Sequence, residues 1–450
     1  MSKPNGVGGP GPQPASPHAT IQHLRIARLP IQFWIPAVVA LAVGVGALPW
    51  VIGDAQDFFY QAHVLALVHV FTLGWITAAM MGVMYRYVPA LTKGRLRFPA
   101  LAGVQLALFL AGVVGMVTGF AIGHWAATAI AAAVMTASVV LFAMNMLACL
   151  VPALGRGVAE RGLALAVVFL LAAAVLGLVL ALDKSFGLLG GSVLTNLASH
   201  AHLAALGWVT MTICAVSYRM LPAFLLPQTV LPPAAGWQLG TLAVAVVALS
   251  VSLLGGGGTG VWAGAIALNL LAYAWIVASM VRSRQMPIDW TVRHALAGAC
   301  WLLAALALGA TLAAVGGDGE WGNRVAGAYG AAGLLGWVSN LIVGMSYRLV
   351  PGLVLGARAV AGLPPLSPLD ISCPRPRPLV FAAWNGGLAL LAAGLLAGGL
   401  APARVGASVL AAGGLTYAAL TAWTLSFALR RAARRSARNP LRVLGDEAPG

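Results

Sequence analysis

The sequence predicts an all-α, polytopic membrane protein of twelve transmembrane helices built as three pseudo-repeated four-helix units. Three observations carry this. Hydrophobic residues make up 60% of the 450 positions and charged residues only 8%, whereas a soluble domain carries roughly 25% charged residues. Apolar stretches of about 20 residues, long enough to cross hydrocarbon as a helix, recur along the whole chain. One motif returns three times, at the same place in each third.

The elements follow in order. Residues 1–31 are rich in Gly and Pro and then basic at Arg25 and Arg28, which reads as a disordered cytoplasmic tail. The first apolar run starts near Gln32 and leads into further membrane segments, so it is a spanning helix and not a cleaved signal. The membrane domain covers 32–430. Its first unit, about 32–150, holds spans at 32–52, 62–85, 99–120 and 125–150. The second, about 163–281, holds 163–182, 197–218, 237–256 and 259–281. The third, about 294–429, holds 294–315, 326–347, 379–400 and 405–429. Connections are short except the proline-rich 219–236 and 348–378, and a basic tail, 431–450, closes the chain.

Net charge is +16. In a soluble protein this would suggest nucleic acid. Here all but three of the 26 Lys and Arg residues fall on the side of the termini, and only Lys184, Arg324 and Arg404 fall on the other. Cytoplasmic loops collect basic residues, so both termini are expected in the cytoplasm of a bacterial inner membrane. The charge is a topology signal, the bilayer is the partner, and no nucleic acid is implied. The four cysteines form no CxxC pair, which argues against a disulfide framework or a zinc site.

The repeat aligns without gaps. His69, Gly74-Trp75, Tyr85-Arg86 and Pro89 match His202, Gly207-Trp208, Tyr218-Arg219 and Pro222; the third copy has Gly336-Trp337, Tyr347-Arg348 and Pro351. These residues have structural uses. Gly allows close helix approach, Tyr-Arg suits an interfacial anchor, and Pro ends a helix.

Histidine points further. His18 and His23 lie in the tail, His294 opens the ninth span, and His124 sits in a short outer loop. The other four, His63, His69, His200 and His202, fall in the outer parts of the second and sixth spans. Imidazole is costly in hydrocarbon unless paired or liganded, so four at one depth on two equivalent helices favour a cofactor or metal site. At about 100° per residue, His63 and His69 are about 240° apart in phase and about 9 Å apart along the axis, and His200 and His202 about 160° apart. At most one of each pair faces a shared centre, and the repeat position selects His69 and His202 as metal ligands. A haem held by two imidazoles fits such a pair. So does copper, with Met80, Met81 or Met84 nearby.

Twelve spans in three units with outer-half histidines resemble subunit I of the haem-copper oxidase superfamily, which includes C-type cytochrome oxidases and nitric oxide reductases. The run from His200 to Pro222 looks like a divergent branch of it and is similar to the NnrS group of haem- and copper-containing membrane proteins linked to nitric oxide. The resemblance implies haem, with copper as the second candidate, and a respiratory-chain redox partner. If the chain is an enzyme, it implies a haem-dependent oxidoreductase. It also implies a low-spin haem ligand on the second span, matched by His69 or His63, and a copper ligand on the sixth, matched by His200 or His202. Two departures follow. Ala331 stands where the tenth span should carry histidine, and residues 237–260 contain none. A complete oxygen-reducing centre is therefore not expected. The competing expectation is a cofactor-free transporter or assembly subunit with the same fold, in which Asn145, Asn196, Asn269 and Asn340 line a path.

Overall fold

A backbone in hydrocarbon must satisfy its own N–H and C=O groups, so each apolar run closes into a helix. The computed structural model describes residues 17–227, 233–317 and 319–429, with side chains from Ile26 onward. It contains twelve helices long and apolar enough to span a membrane: α1 (Ile26–Asp57), α2 (Ala62–Leu91), α3 (Pro99–Ala121), α4 (Trp125–Ala153), α5 (Val158–Phe186), α6 (Val193–Leu225), α7 (Ala234–Gly255), α8 (Thr259–Arg282), α9 (Trp290–Val315), α10 (Gly319–Val360), α11 (Arg377–Ala397) and α12 (Leu400–Ala428). No strand occurs among the described residues. The first helix reaches back to Pro17, inside the stretch expected as a tail. Residues 1–16 and the basic tail from Arg430 lie outside the described residues.

The units α1–α4, α5–α8 and α9–α12 close into a ring, with α4 against α5, α8 against α9 and α12 back against α1. In each unit the second helix is the most buried of the four. Thus α2, α6 and α10 form the centre.

Each central helix is interrupted by a π-helical segment at the same repeat position: Val70–Thr77, Leu203–Thr210 and Ala332–Val338. A π turn accommodates an extra residue and is rarely longer than a single bulge, so three matched segments need a cause. Packing supplies one. A Cβ added at Gly74 would lie 2.7 Å from Ala40 of α1, one at Gly207 2.5 Å from Phe169 of α5, and one at Gly336 2.6 Å from Trp301 of α9. Each glycine therefore lets the first helix of its own unit press against the widened turn.

The tryptophan after each glycine reaches the other way. Trp75 Nε1 donates to Ser339 Oγ (3.2 Å), Trp337 Nε1 to Thr210 Oγ1 (3.4 Å), and Trp208 Nε1 to Thr77 Oγ1 (3.3 Å). Every acceptor sits two residues after a repeat tryptophan, so the three bonds close a cycle from α2 to α10 to α6 and back. Two of the acceptors also bind the π turn itself: Thr210 donates to Ala205 O at 2.9 Å and Ser339 to Leu334 O at 2.8 Å, each five residues back. The indole bonds are long for N–H···O, so each adds little by itself. Leaving a buried indole N–H unpaired would cost more, about 1–3 kcal/mol.

Two repeat residues differ from their sequence reading. Tyr85 and Tyr218 are buried and donate to Gln105 Oε1 (3.2 Å) and Gln238 Oε1 (2.8 Å), each twenty residues on. They tie the second helix of a unit to the third instead of marking an interface. In the third unit the matching position is Ser367, in the long connection, and Arg377 covers the Tyr347 ring at 4.6 Å instead. The prolines do not end their helices: α2, α6 and α10 continue beyond Pro89, Pro222 and Pro351, to Leu91, Leu225 and Val360. Proline frees only one carbonyl of the preceding turn, and near a membrane surface that carbonyl can be satisfied by other partners.

Thr77→Val and Thr210→Val, which keep volume but remove the acceptors, are each expected to destabilise the purified protein by about 1–3 kcal/mol. The drop should appear in the thermal midpoint in detergent. Thr416→Val, at a hydroxyl that bonds back to Ala412 of its own helix, should leave the midpoint unchanged. Equal midpoints for all three variants would contradict the role given to the cycle.

Candidate functional site

His69 and His202 are the residues immediately before the π segments of α2 and α6. Their Nδ1 atoms are held alike: His69 Nδ1 lies 2.7 Å from Leu65 O and His202 Nδ1 2.7 Å from Ala198 O, each four residues back. A carbonyl can only accept, so Nδ1 carries the proton in both rings. The neutral imidazole then presents the lone pair of Nε2 away from its own helix. His200 repeats the pattern with a different anchor, its Nδ1 lying 3.0 Å from Ala173 O of α5. Three histidines on two central helices thus share the tautomer that metal-ligating imidazoles use when a backbone carbonyl orients them.

Their surroundings differ. The His69 ring packs on Phe120 of α3 at 4.8 Å between centroids. The His202 ring lies parallel to Tyr329 of α10, and Tyr329 OH donates to His202 Nε2 at 3.3 Å. His69, His200, His202 and Tyr329 are each half-buried. On α10 the same level is built from small residues. A Cβ added at Gly330 or Gly333 would meet nothing within 4 Å.

These residues fit an axially held planar cofactor better than a bare ion. Among the described residues no three His, Cys, Asp or Glu side chains gather closely enough to hold a metal ion. A copper ion would need soft or third ligands beyond the imidazoles. A haem iron needs only one or two axial imidazoles, with the porphyrin filling space between helices. Oriented Nε2 lone pairs and open glycine positions are what that arrangement requires.

His63 sits apart. It is exposed at the N-terminal end of α2 and its Nδ1 lies 2.8 Å from Asp54 Oδ2 of α1. His124 caps α4 by accepting from Ala127 N at 3.1 Å. The four intramembrane asparagines join backbone or side chains: Asn145 with Phe98, Asn196 with Gly190 O, Asn269 with Gln238, and Asn340 with Asn385 and His294.

Two participants were missed in the sequence. Tyr329 supplies the hydroxyl that faces His202. His294 had been read simply as the start of α9. It is fully buried, its Nδ1 lies 2.9 Å from Asn340 Oδ1, and its Nε2 has no partner among the described residues. Trp301 Nε1 donates to Asn385 Oδ1 at 3.0 Å, which completes a polar network across α9, α10 and α11. The signal for it was four polar residues on adjacent helices of one unit.

No protein-family pattern matches the chain, and no curated protein sequence matches it. Among solved structures, the chain is similar to one reported as a cryo-EM structure of a haem-copper terminal oxidase dimer, with a TM-score of 0.62 and 14% identity, over 92% of this chain and 85% of that one. At that identity the likeness is one of fold. It extends over nearly the whole membrane domain, so the chain shares the fold of that structure.

Proposed function

We propose that the chain is an integral membrane haem-binding protein with the haem-copper oxidase fold, its haem held through His69 and His202 in the outer half of α2 and α6. His200 is the alternative ligand from α6, and copper is the alternative occupant. The observation that carries this is the matched anchoring of two imidazoles at equivalent repeat positions, each with Nδ1 bound to the carbonyl four residues back and Nε2 left as a ligand.

A haem held by both imidazoles would supply one-electron chemistry, and a small gas such as nitric oxide would reach the iron only by displacing one of them. The chain's own residues orient and enclose it. Leu65 O and Ala198 O fix the tautomers, Phe120 packs one ring, and Gly330 and Gly333 keep room on α10. Tyr329 OH offers a proton toward Nε2 of His202, so it occupies that lone pair when the position is free and must turn away for ligation. Ala331 offers no donor at the third repeat position. The reading is therefore respiratory electron transfer to or from a redox partner, or nitric oxide or metal handling as in the NnrS group, without a complete oxygen-reducing centre. A cofactor-free transporter is the poorer reading, because the intramembrane asparagines are spent on bonds between and within helices. The basic asymmetry supports a bacterial inner-membrane protein with both termini in the cytoplasm.

The purified protein is expected to show a Soret band and a pyridine haemochrome signal. His69→Ala and His202→Ala should each shift or diminish the Soret band, while His63→Ala leaves it unchanged. A protein without haem or copper refutes the reading, and a spectrum unaltered in both variants refutes the ligand pair.

The orientation has its own test. Cys373 is exposed in the connection between α10 and α11, at the end of the bundle assigned to the cytoplasm. A membrane-impermeant maleimide should label it only after cells are permeabilised. Labelling on intact cells would invert the topology.

A further inference from the structure

The ring of units does not close evenly. α4 packs along α5 and α12 along α1, whereas α8 and α9 touch only sparsely, and α9 is the least buried of the twelve spans. Behind this loose joint, on the inner side of the tryptophan cycle, lies an apolar cavity of about 140 Å³. Ala274 and Val277 of α8 and Ala295 and Ala299 of α9 line it at the joint. Three of these four are alanines, so little side chain stands between the cavity and the lipid side. There Leu271 and Trp275 of α8 and Leu303 of α9 are exposed.

A void of this size is rare in a packed interior. An apolar cavity of about 150 Å³ stays dry and takes up benzene, so this one suits a hydrocarbon stretch of about six carbons. The bilayer supplies such a stretch beside the joint, in its acyl chains. Hydrocarbon gains nothing from the hydrophobic effect on passing from lipid into protein, so the chain by itself would select no particular lipid.

The inner end of the joint supplies the selection. Arg282 closes α8, Arg284 stands in the connection, and Arg293 lies in the first turn of α9. All three are exposed, and none pairs with an acid among the described residues. The one acid of this connection, Asp289, is already held by Arg348 at 2.8 Å. Arg293 lies over the Trp290 ring at 4.4 Å, and tryptophan favours the depth of lipid head groups. Ala295 is two residues from Arg293, and Val277 five from Arg282. At about 1.5 Å per residue, the cavity begins within about 8 Å of the basic groups along the helix axes. A topology signal accounts for arginines at this end of the bundle. It does not account for three unpaired ones around the one loose joint, with an apolar cavity behind it.

We infer that the joint between α8 and α9 binds an anionic phospholipid, its phosphate held by Arg282, Arg284 and Arg293 and part of one acyl chain lodged in the cavity. The claim is one of binding and stands apart from the haem reading.

The test places the full chain in phosphatidylcholine nanodiscs with a small share of phosphatidylglycerol that carries a photoactivatable diazirine in one acyl chain. Cross-links, located by mass spectrometry, should concentrate on the cavity-lining residues of α8 and α9. Unlabelled phosphatidylglycerol should compete, and soluble glycerol phosphate should not. The same diazirine chain on phosphatidylcholine should label that wall far less. Arg282→Gln, Arg284→Gln and Arg293→Gln should each weaken the labelling about fivefold. Arg95→Gln and Arg97→Gln, at exposed arginines of the connection between α2 and α3, should leave it unchanged. Ala299→Phe should fill the cavity and remove the labelling from its wall; if that variant does not fold, Ala295→Leu fills the same wall. Equal labelling by the two lipids, an equal loss in both sets of arginine variants, or labelling that persists in the filled variant would overturn the proposal.

Discussion

Three indole N–H groups in the middle of a membrane have to find acceptors, and the way they do so constrains everything around them. Trp75, Trp208 and Trp337 each point from one central helix to a hydroxyl on another, and the three bonds close on themselves. Water cannot replace them at that depth. Sliding or rotating any one of α2, α6 and α10 would break two bonds of the cycle at once. The same residues explain the π segments. The widened turn lets glycine face the unit's own first helix while tryptophan, one residue later, faces a different unit. A regular helix would not bring the hydroxyl two residues on to both the turn carbonyl and the incoming indole.

The extra residue in each π turn also separates two regions of the bundle. Above it, α2 and α6 present His69 and His202 with their Nε2 lone pairs turned from their own helices. Below it, the same helices present Met80, Met84, Thr212 and Ser217 to the apolar cavity. In lipid there is no hydrophobic drive to bring helices together, so packing of small residues and interhelical hydrogen bonds must do it. Gly74, Gly207 and Gly336 provide the first, and the tryptophan cycle with Tyr85–Gln105 and Tyr218–Gln238 provides the second. The outer region is left free to hold imidazoles and open glycine positions without weakening the frame.

Much of this was legible in the residues. Hydropathy located all twelve spans, because a spanning helix is long and apolar whatever it packs against. The repeat marked α2, α6 and α10 as equivalent, and position within it separated His69 and His202 from His63. The π turns were not legible, because an apolar run has the same composition at either pitch. The hydroxyls of the cycle were in view as Gly74-Trp75-x-Thr77, Gly207-Trp208-x-Thr210 and Gly336-Trp337-x-Ser339, but the aligned repeat of Gly-Trp, Tyr-Arg and Pro passes over that position, where threonine gives way to serine in the third copy. Pro89, Pro222 and Pro351 misled, since proline weakens a helix by one bond and near a membrane surface that loss can be absorbed. Tyr329 and His294 depend on contacts between distant spans, which periodicity within one helix cannot show.

The central proposal is that a frame locked by three tryptophans holds two oriented imidazoles for a haem. An experimental density map of the protein purified from membranes, resolved well enough to see the side chains of α2, α6 and α10, tests it most directly. The account predicts π turns at all three repeat positions and density for a ligand in contact with Nε2 of His69 or His202. Regular α-helical turns there, or imidazoles whose Nε2 atoms meet only protein, would contradict it.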